Sequence, residues 1–326
     1  MGQLVIGTWD DSSYTTKPTG GAFQRSTAGF RNWVTPDGRA GPTGRAGFAA
    51  TSGRYHLMVS HACPWAHRTL IFRALKGLIP HIPVAVVHPD MLEDGWTFAT
   101  DFPGTTGDTL LGLPYLRDIY TTAVPDMSGR VTVPVLWDRE QSTIVSTESS
   151  EIIRMFNAAF DDLTGNTDDY WPADLRAAIE PVNVRIYEGL NNGVYRAGFA
   201  TTQAAYDAAV TGVFATLDWL QAHLSANRYL MGPRLTEADW RLFPTLLRFD
   251  PVYHLHFKCN RARVIDYPAI WGYLRELWQW PGVAATVHLD HIVRHYHFSH
   301  DTINPHRIVP INPILDYAAP HGRAGL

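Results

Sequence analysis

Residues 55–87 constrain the fold more tightly than any other stretch. Tyr55–Ser60 is an apolar, β-leaning run, and Cys63-Pro64 follows it. Thr69-Leu-Ile-Phe-Arg-Ala-Leu-Lys76 reads as helix, closed by Gly77, and Ile82–Val87 is a second apolar, β-branched run. Strand, helix and strand in so short a span imply a parallel pair joined by a right-handed crossover. The unit also places a thiol at a strand-to-helix junction, on the positive end of a helix. That end favours an anion, and so favours thiolate over thiol. Position 66 is Ala, so the motif is Cys-x-x-Ala and no neighbour within it can resolve a disulfide. One-thiol chemistry is the expectation: a mixed disulfide formed with, and released by, a small thiol such as glutathione. The ordinary alternative is a buried structural cysteine. The junction pattern favours the reactive reading.

The length of 326 residues suggests one large or two moderate domains. A formal charge of −4 argues against a nucleic-acid binder. Eleven Trp and fourteen Tyr leave room for a pocket that takes a flat aromatic ligand, although most should be ordinary core and interface residues. The N-terminal stretch Met-Gly-Gln-Leu-Val-Ile has no basic region and no apolar segment of a signal peptide, and Ile6 breaks the myristoylation pattern. No run approaches about 18 apolar residues, so no membrane-spanning helix is expected. Cys63 and Cys259 do not make a disulfide framework, and cytoplasm is the default location. Cys259 has no motif around it and reads as structural.

Residues 1–50 are rich in Gly, Pro, Ser and Thr, with Phe23, Phe30, Trp33 and Phe48 interspersed, and read as an irregular arm anchored by aromatics. Residues 51–160 read as one α/β domain, with 88–129 an insertion over the site. Within it, Arg130–Trp137 and Thr143–Val145 form an antiparallel hairpin, and a helix starts at Thr147–Ser150. Pro134 inside a strand pattern is anomalous, because proline cannot donate to a ladder; this marks a candidate cis-proline. From 172 to 300 the period turns helical, over Leu175–Leu190, Tyr206–Leu224 and Tyr267–Trp278. Thr236-Glu-Ala-Asp239 is close to a capping box. Residues 301–326 carry four prolines and read as a C-terminal tail over the surface.

Together these features resemble the cytosolic glutathione transferases: strand–Cys-Pro–helix–strand, a Val-Pro before a hairpin, Glu-Ser at a helix start and a helical second half. Longer stretches resemble the glutathionyl-hydroquinone reductases, the xi class. They are Ala62-Cys-Pro-Trp-Ala-His-Arg68, Asn32-Trp33, Gly95-Trp-Thr-Phe98, Gly129–Trp137, Asn191-Asn-Gly-Val-Tyr195, Arg248-Phe-Asp-Pro-Val-Tyr253 and His295-Tyr296. The resemblance covers essentially the whole chain.

The resemblance implies a thioredoxin-like N-terminal domain, an all-α C-terminal domain and a homodimer. It makes Cys63 the nucleophile that takes glutathione from a glutathionyl-hydroquinone, with ping-pong kinetics. It makes Tyr195 the acid that protonates the quinol ring carbon, since a phenol holds its proton at neutral pH. It places the Tyr253 and Tyr296 hydroxyls where they lower the thiol's pKa by bonding to its charged form. For glutathione as co-substrate, it implies that the Val133 backbone beside Pro134 pairs with the cysteinyl amide. Glu148 meets the γ-glutamyl ammonium and Ser149 holds the γ-glutamyl carboxylate at a helix N-terminus. Trp96 and Arg130 match further glutathione contacts. The cluster His288, His291, His295, His297 and His300 includes an i, i+4 pair, but no surrounding ligand set points to a metal, and none is expected. Two other readings remain: an omega-like thiol transferase or dehydroascorbate reductase, and a non-catalytic binding module that keeps the fold.

Overall fold

The structure is a computed structural model and describes residues 2–12 and 15–326. Two compact units emerge. The first holds the described part of 1–14 together with 26–168 and 286–295; the second holds 15–25, 169–285 and 296–326.

In the first unit the chain runs β1 (Gln3–Val5), β2 (Thr8–Asp10), β3 (Trp33–Thr35), β4 (Gly47–Ala49), β5 (Tyr55–Val59), α1 (Pro64–Leu75), β6 (Val84–Val86) and α2 (Leu116–Ala123). It continues through β7 (Gly129–Arg130), β8 (Val135–Asp138), β9 (Thr143–Ser146), α3 (Ser149–Ala158) and α4 (Asp161–Thr164). The main sheet has the order β6-β5-β8-β9. β5 lies parallel to β6 and antiparallel to β8, and β8–β9 is an antiparallel hairpin. Tyr55, Leu57, Met58 and Val59 are fully buried. A central strand covered on both faces is apolar along most of its length, and the one polar member, His56, is buried with its imidazole pushed down to about 4. α1 begins at Pro64, whose missing N–H costs nothing at a first helical position, and Gly77 follows its end at φ 67°.

Three expectations change. The arm is not irregular throughout: β1 and β2 form a hairpin that β7 joins, and β3 pairs in parallel with β4. The β1–β2 turn puts Ile6 and Gly7 at positive φ, a two-residue hairpin geometry that a β-branched residue does not advertise. The strand expected over 130–137 is broken. Pro134 has no N–H to give, so β8 starts at Val135 on β5, while Gly129–Arg130 pairs with β1. The Val133–Pro134 peptide is cis. The segment 88–129 also contains α2, an amphipathic helix that buries Leu116, Ile119 and Tyr120.

The second unit is helical: α5 (Arg176–Ile186), α6 (Gly193–Gly198), α7 (Gln203–Ala226), α8 (Glu237–Arg248) and α9 (Pro268–Trp278). α10 (Leu289–Ser299) contributes residues 289–295 to the first unit and 296–299 to the second. α8 opens on the expected box: the Thr236 amide donates to the Asp239 carboxylate at 2.8 Å. The same carboxylate accepts the Leu230 amide and the Tyr273 hydroxyl. Two π-helical turns, Tyr187–Asn191 and Phe249–Tyr253, interrupt the α-helical course, the first of them inside the helix expected over Leu175–Leu190. Such turns recur at functional sites. The tail is pinned near its end, where the buried Arg323 guanidinium donates to the carbonyls of Leu224, Asn227 and Arg228. No helix among the described residues is long and apolar enough to cross a membrane.

Candidate active site

Cys63 occupies the N-cap of α1 in extended conformation, half-buried, and its Sγ lies 3.5 Å from the Val133 carbonyl oxygen. Two local effects oppose each other. The carbonyl suits an S–H, whereas the first-turn amides of Trp65 and Ala66 and the α1 dipole suit S⁻. Sγ makes no capping hydrogen bond to those amides, so the α1 end acts on it through its dipole. Cys259 is the contrast: it is wholly buried, and burial pushes its thiol up to about 12. Both cysteines are free.

The remaining candidates of the first unit sit around this junction in distinct ways. α3 packs on α1. Glu148 is the N-cap of α3, and its Oε1 accepts the Ser150 amide at 2.9 Å and the Ser150 hydroxyl at 2.7 Å. Ser149 is the first residue of α3 and is buried. Trp96 is buried and stacks on His295, centroids 4.8 Å apart. His295 in turn uses Nδ1 on the Pro89 carbonyl at 2.8 Å. Arg130 lies in β7 and donates to the Ser12 carbonyl at 3.0 Å, so its guanidinium also ties down the N-terminal hairpin.

The histidines sort into two places. In the first unit His61, two residues before the nucleophile, stacks on His288 at 3.6 Å and meets His291 edge-on at 5.0 Å. His291 Nε2 is 2.6 Å from the Pro103 carbonyl, and burial pushes both His288 and His291 below the usual imidazole value. In the second unit His256 and His300 pair ring nitrogens at 3.2 Å. The i, i+4 pair His291 and His295 therefore spends a nitrogen each on backbone carbonyls. Among the described residues no group of three or more His, Cys, Asp or Glu could hold a metal ion.

The second unit brings three tyrosines together. Tyr195 stands on α6, Tyr253 ends the π turn after α8, and Tyr296 lies on α10. The Tyr296 hydroxyl is 2.5 Å from that of Tyr195 and 3.1 Å from that of Tyr253. Burial pushes Tyr253 and Tyr296 well above the usual phenol value, so both hold their protons at neutral pH. Each hydroxyl has one proton and two lone pairs, so the row must be directed. If Tyr253 donates to Tyr296 and Tyr296 to Tyr195, the proton of Tyr195 is the one left to give. The opposite direction frees the proton of Tyr253. Phe199 and Phe257 pack the Tyr195 ring. Arg25 lies over that ring with its guanidinium carbon 4.8 Å from the centroid, a neighbour that no sequence signal marks.

Two family models match: the glutathione S-transferase N-terminal domain over residues 62–159 and the C-terminal domain over 203–276. The chain is 58% identical to the glutathionyl-hydroquinone reductase YqjG of Escherichia coli, over 99% of this chain and 98% of that protein. It belongs to the glutathionyl-hydroquinone reductases, the xi class of glutathione transferases. It is also 49% identical to the reductase PcpF of Sphingobium chlorophenolicum, over 96% of each. The glutathione-bound structure of YqjG superposes with a TM-score of 0.92 at 55% identity, covering 98% of this chain and 99% of that one. The fold is thus the thioredoxin-like and helical pair of the transferases.

Proposed function

We propose that this chain reduces glutathionyl-hydroquinones through a Cys63–glutathione mixed disulfide. Membership of the reductase family carries the activity, and the placement of Cys63 at the head of α1, against the Val133 carbonyl, supports the residue-level reading.

Tyr195 gives its proton to the ring carbon that bears sulfur, and a ring hydroxyl loses one, leaving a keto tautomer. The Cys63 thiolate attacks the thioether sulfur. The S–S bond forms, the C–S bond breaks, and its electron pair moves into the ring to regenerate the aromatic hydroquinone after proton uptake. A second glutathione thiolate then attacks the mixed disulfide and leaves as glutathione disulfide, restoring Cys63. Per turnover one thioether is reduced and two glutathionyl sulfurs are joined. When the row runs the other way, between acid steps, its free proton can be donated toward the Cys63 thiolate, so Tyr253 and Tyr296 favour the charged form through the row.

For glutathione, the Val133 backbone beside Pro134 pairs with the cysteinyl unit, Glu148 meets the γ-glutamyl ammonium, and Ser149 with the α3 N-terminus holds the γ-glutamyl carboxylate. Trp96 and Arg130 complete the tripeptide contacts. The chain acts as a cytoplasmic homodimer and uses no metal. Hydroquinone release with excess glutathione, compared among wild type, Cys63→Ala and Tyr195→Phe, tests the reading. Loss in the first variant and a large drop in the second support it. Full activity without Cys63 overturns it. Turnover of dehydroascorbate or small disulfides in place of the quinol thioether would move the chain to the omega-like reading.

A further inference from the structure

Residues 15–25 lie apart from the rest of the N-terminal arm, in the helical unit. Their placement is built in several steps. The Thr201 amide donates to the Gly21 carbonyl at 3.0 Å, and the Thr202 hydroxyl, which caps α7, donates to the Gly20 carbonyl at 2.9 Å. Gly21 sits at φ 90°, and a Cβ there would come within 2.6 Å of Thr202, so only glycine permits the approach. Phe23 is buried and packs on Phe199 with centroids 5.4 Å apart. The segment ends at Arg25, whose Nε donates to Asn192 Oδ1 at 3.1 Å, three residues before Tyr195 in the chain. That bond fixes the guanidinium over the Tyr195 ring at 4.8 Å.

We propose that Arg25 is a positioning residue for the acid step, stabilising the Tyr195 phenolate that forms when the proton leaves for the quinol ring. This rests on the reading of Tyr195 as the acid. A guanidinium over an aromatic face is attracted by the ring's π charge, and the attraction grows when the ring becomes an anion. The Tyr296 hydroxyl lies 2.5 Å from the same oxygen. Other titratable and charged groups stand on the surrounding elements, among them His256, paired with His300, His297 beside His256, and Asp250 in the turn that carries Tyr253. Tyr253 bonds Tyr296 and also acts on the Tyr195 hydroxyl, His300 sits edge-on to Tyr296, and the buried Arg248 donates to the Pro244 carbonyl while its charge acts on Tyr253 and Tyr296. Arg196, beside Tyr195 in sequence, pairs with Glu188. Arg25 is thus the cation set on the face of the acid itself.

The test is the pH profile of kcat for a glutathionyl-hydroquinone at saturating glutathione, measured on the full-length enzyme as wild type, Arg25→Gln, Arg25→Lys and Tyr195→Phe. With the cation removed, Tyr195 becomes a weaker acid. In Arg25→Gln, kcat at neutral pH should fall about tenfold and the alkaline limb should move about one unit higher. Arg25→Lys should restore the limb and most of the rate. Arg25→Met, which keeps the apolar stem, reports the same limb should Arg25→Gln fail to fold. An alkaline limb unmoved in Arg25→Gln or Arg25→Met, whatever the rate, overturns the inference while leaving Tyr195 as the acid. A Tyr195→Phe enzyme with the wild-type rate and limb removes the acid reading, and the inference with it.

Discussion

Tyr296→Phe deletes one oxygen and tests the tyrosine row at its centre. Tyr296 is 1% exposed, and its ring can stay where it is, because phenylalanine fills the same space. The hydroxyls of Tyr195 and Tyr253 each lose a partner. A buried hydrogen bond contributes about 0.5–1.5 kcal/mol, so with two lost the fold should lose about 1–3 kcal/mol and remain intact. The effect on chemistry is separate. A hydrogen bond to a charged oxygen contributes about 1.5–3 kcal/mol, and the Tyr195 oxygen gains that charge only as the proton leaves. The rate of the first half-reaction should therefore fall about 10- to 150-fold. Stopped-flow release of hydroquinone in a single turnover reads that step alone, and thermal melting checks the fold. KM for glutathione should not change. A folded variant that releases hydroquinone at the wild-type rate would refute the argument that the row supports proton donation.

Further outcomes follow from other sites. Ser149→Ala should raise KM for glutathione about tenfold with kcat intact, the loss of one bond to a carboxylate; an unchanged KM, read from steady-state kinetics, would remove Ser149 from the γ-glutamyl site. Thiol titration of the native protein near pH 8 should find one reactive cysteine in the wild type and none in Cys63→Ala, because burial holds Cys259 as a thiol; two fast thiols would contradict the burial of Cys259. Acid should weaken the fold in a defined window. Burial pushes His56 down to about 4 and lowers His288, His291 and His297. The unfolded chain takes up protons near 6.5 that the folded chain refuses, so stability present above 6.5 is lost as pH falls toward 4. His56 alone contributes about 2 kcal/mol of that loss by pH 5. A urea midpoint that stays level between pH 6.5 and 5 would show that these imidazoles are not held neutral.

What the sequence made legible is what local chemistry encodes. The Cys63-Pro64 junction combines a β run, a residue suited to a first helical position and a helix stop at Gly77, all within one short segment. Pro134 announced itself by breaking a strand pattern, and Thr236 with Asp239 by their spacing. The missing pieces depend on distant partners. β1, β2 and β7 are two or three residues long, too short to carry a period, and they exist because residue 3 pairs with residue 130. α2 lies in a stretch whose Pro, Gly and Asp clusters read as loop. The π turn before Tyr195 lies largely inside Leu175–Leu190, whose apolar residues at three and four read as one continuous helix. Arg25 has no local signal at all: its role comes from a contact with residue 195 that only the folded chain creates.

The central claim is a covalent one, and intact-mass spectrometry of the protein after exposure to a glutathionyl-hydroquinone, with no free glutathione present, tests it most directly. One glutathione should appear on Cys63 and one equivalent of hydroquinone should be released, with both absent in Cys63→Ala and the adduct discharged as glutathione disulfide when glutathione is added. Hydroquinone released without an adduct, or released equally by Cys63→Ala, would contradict it.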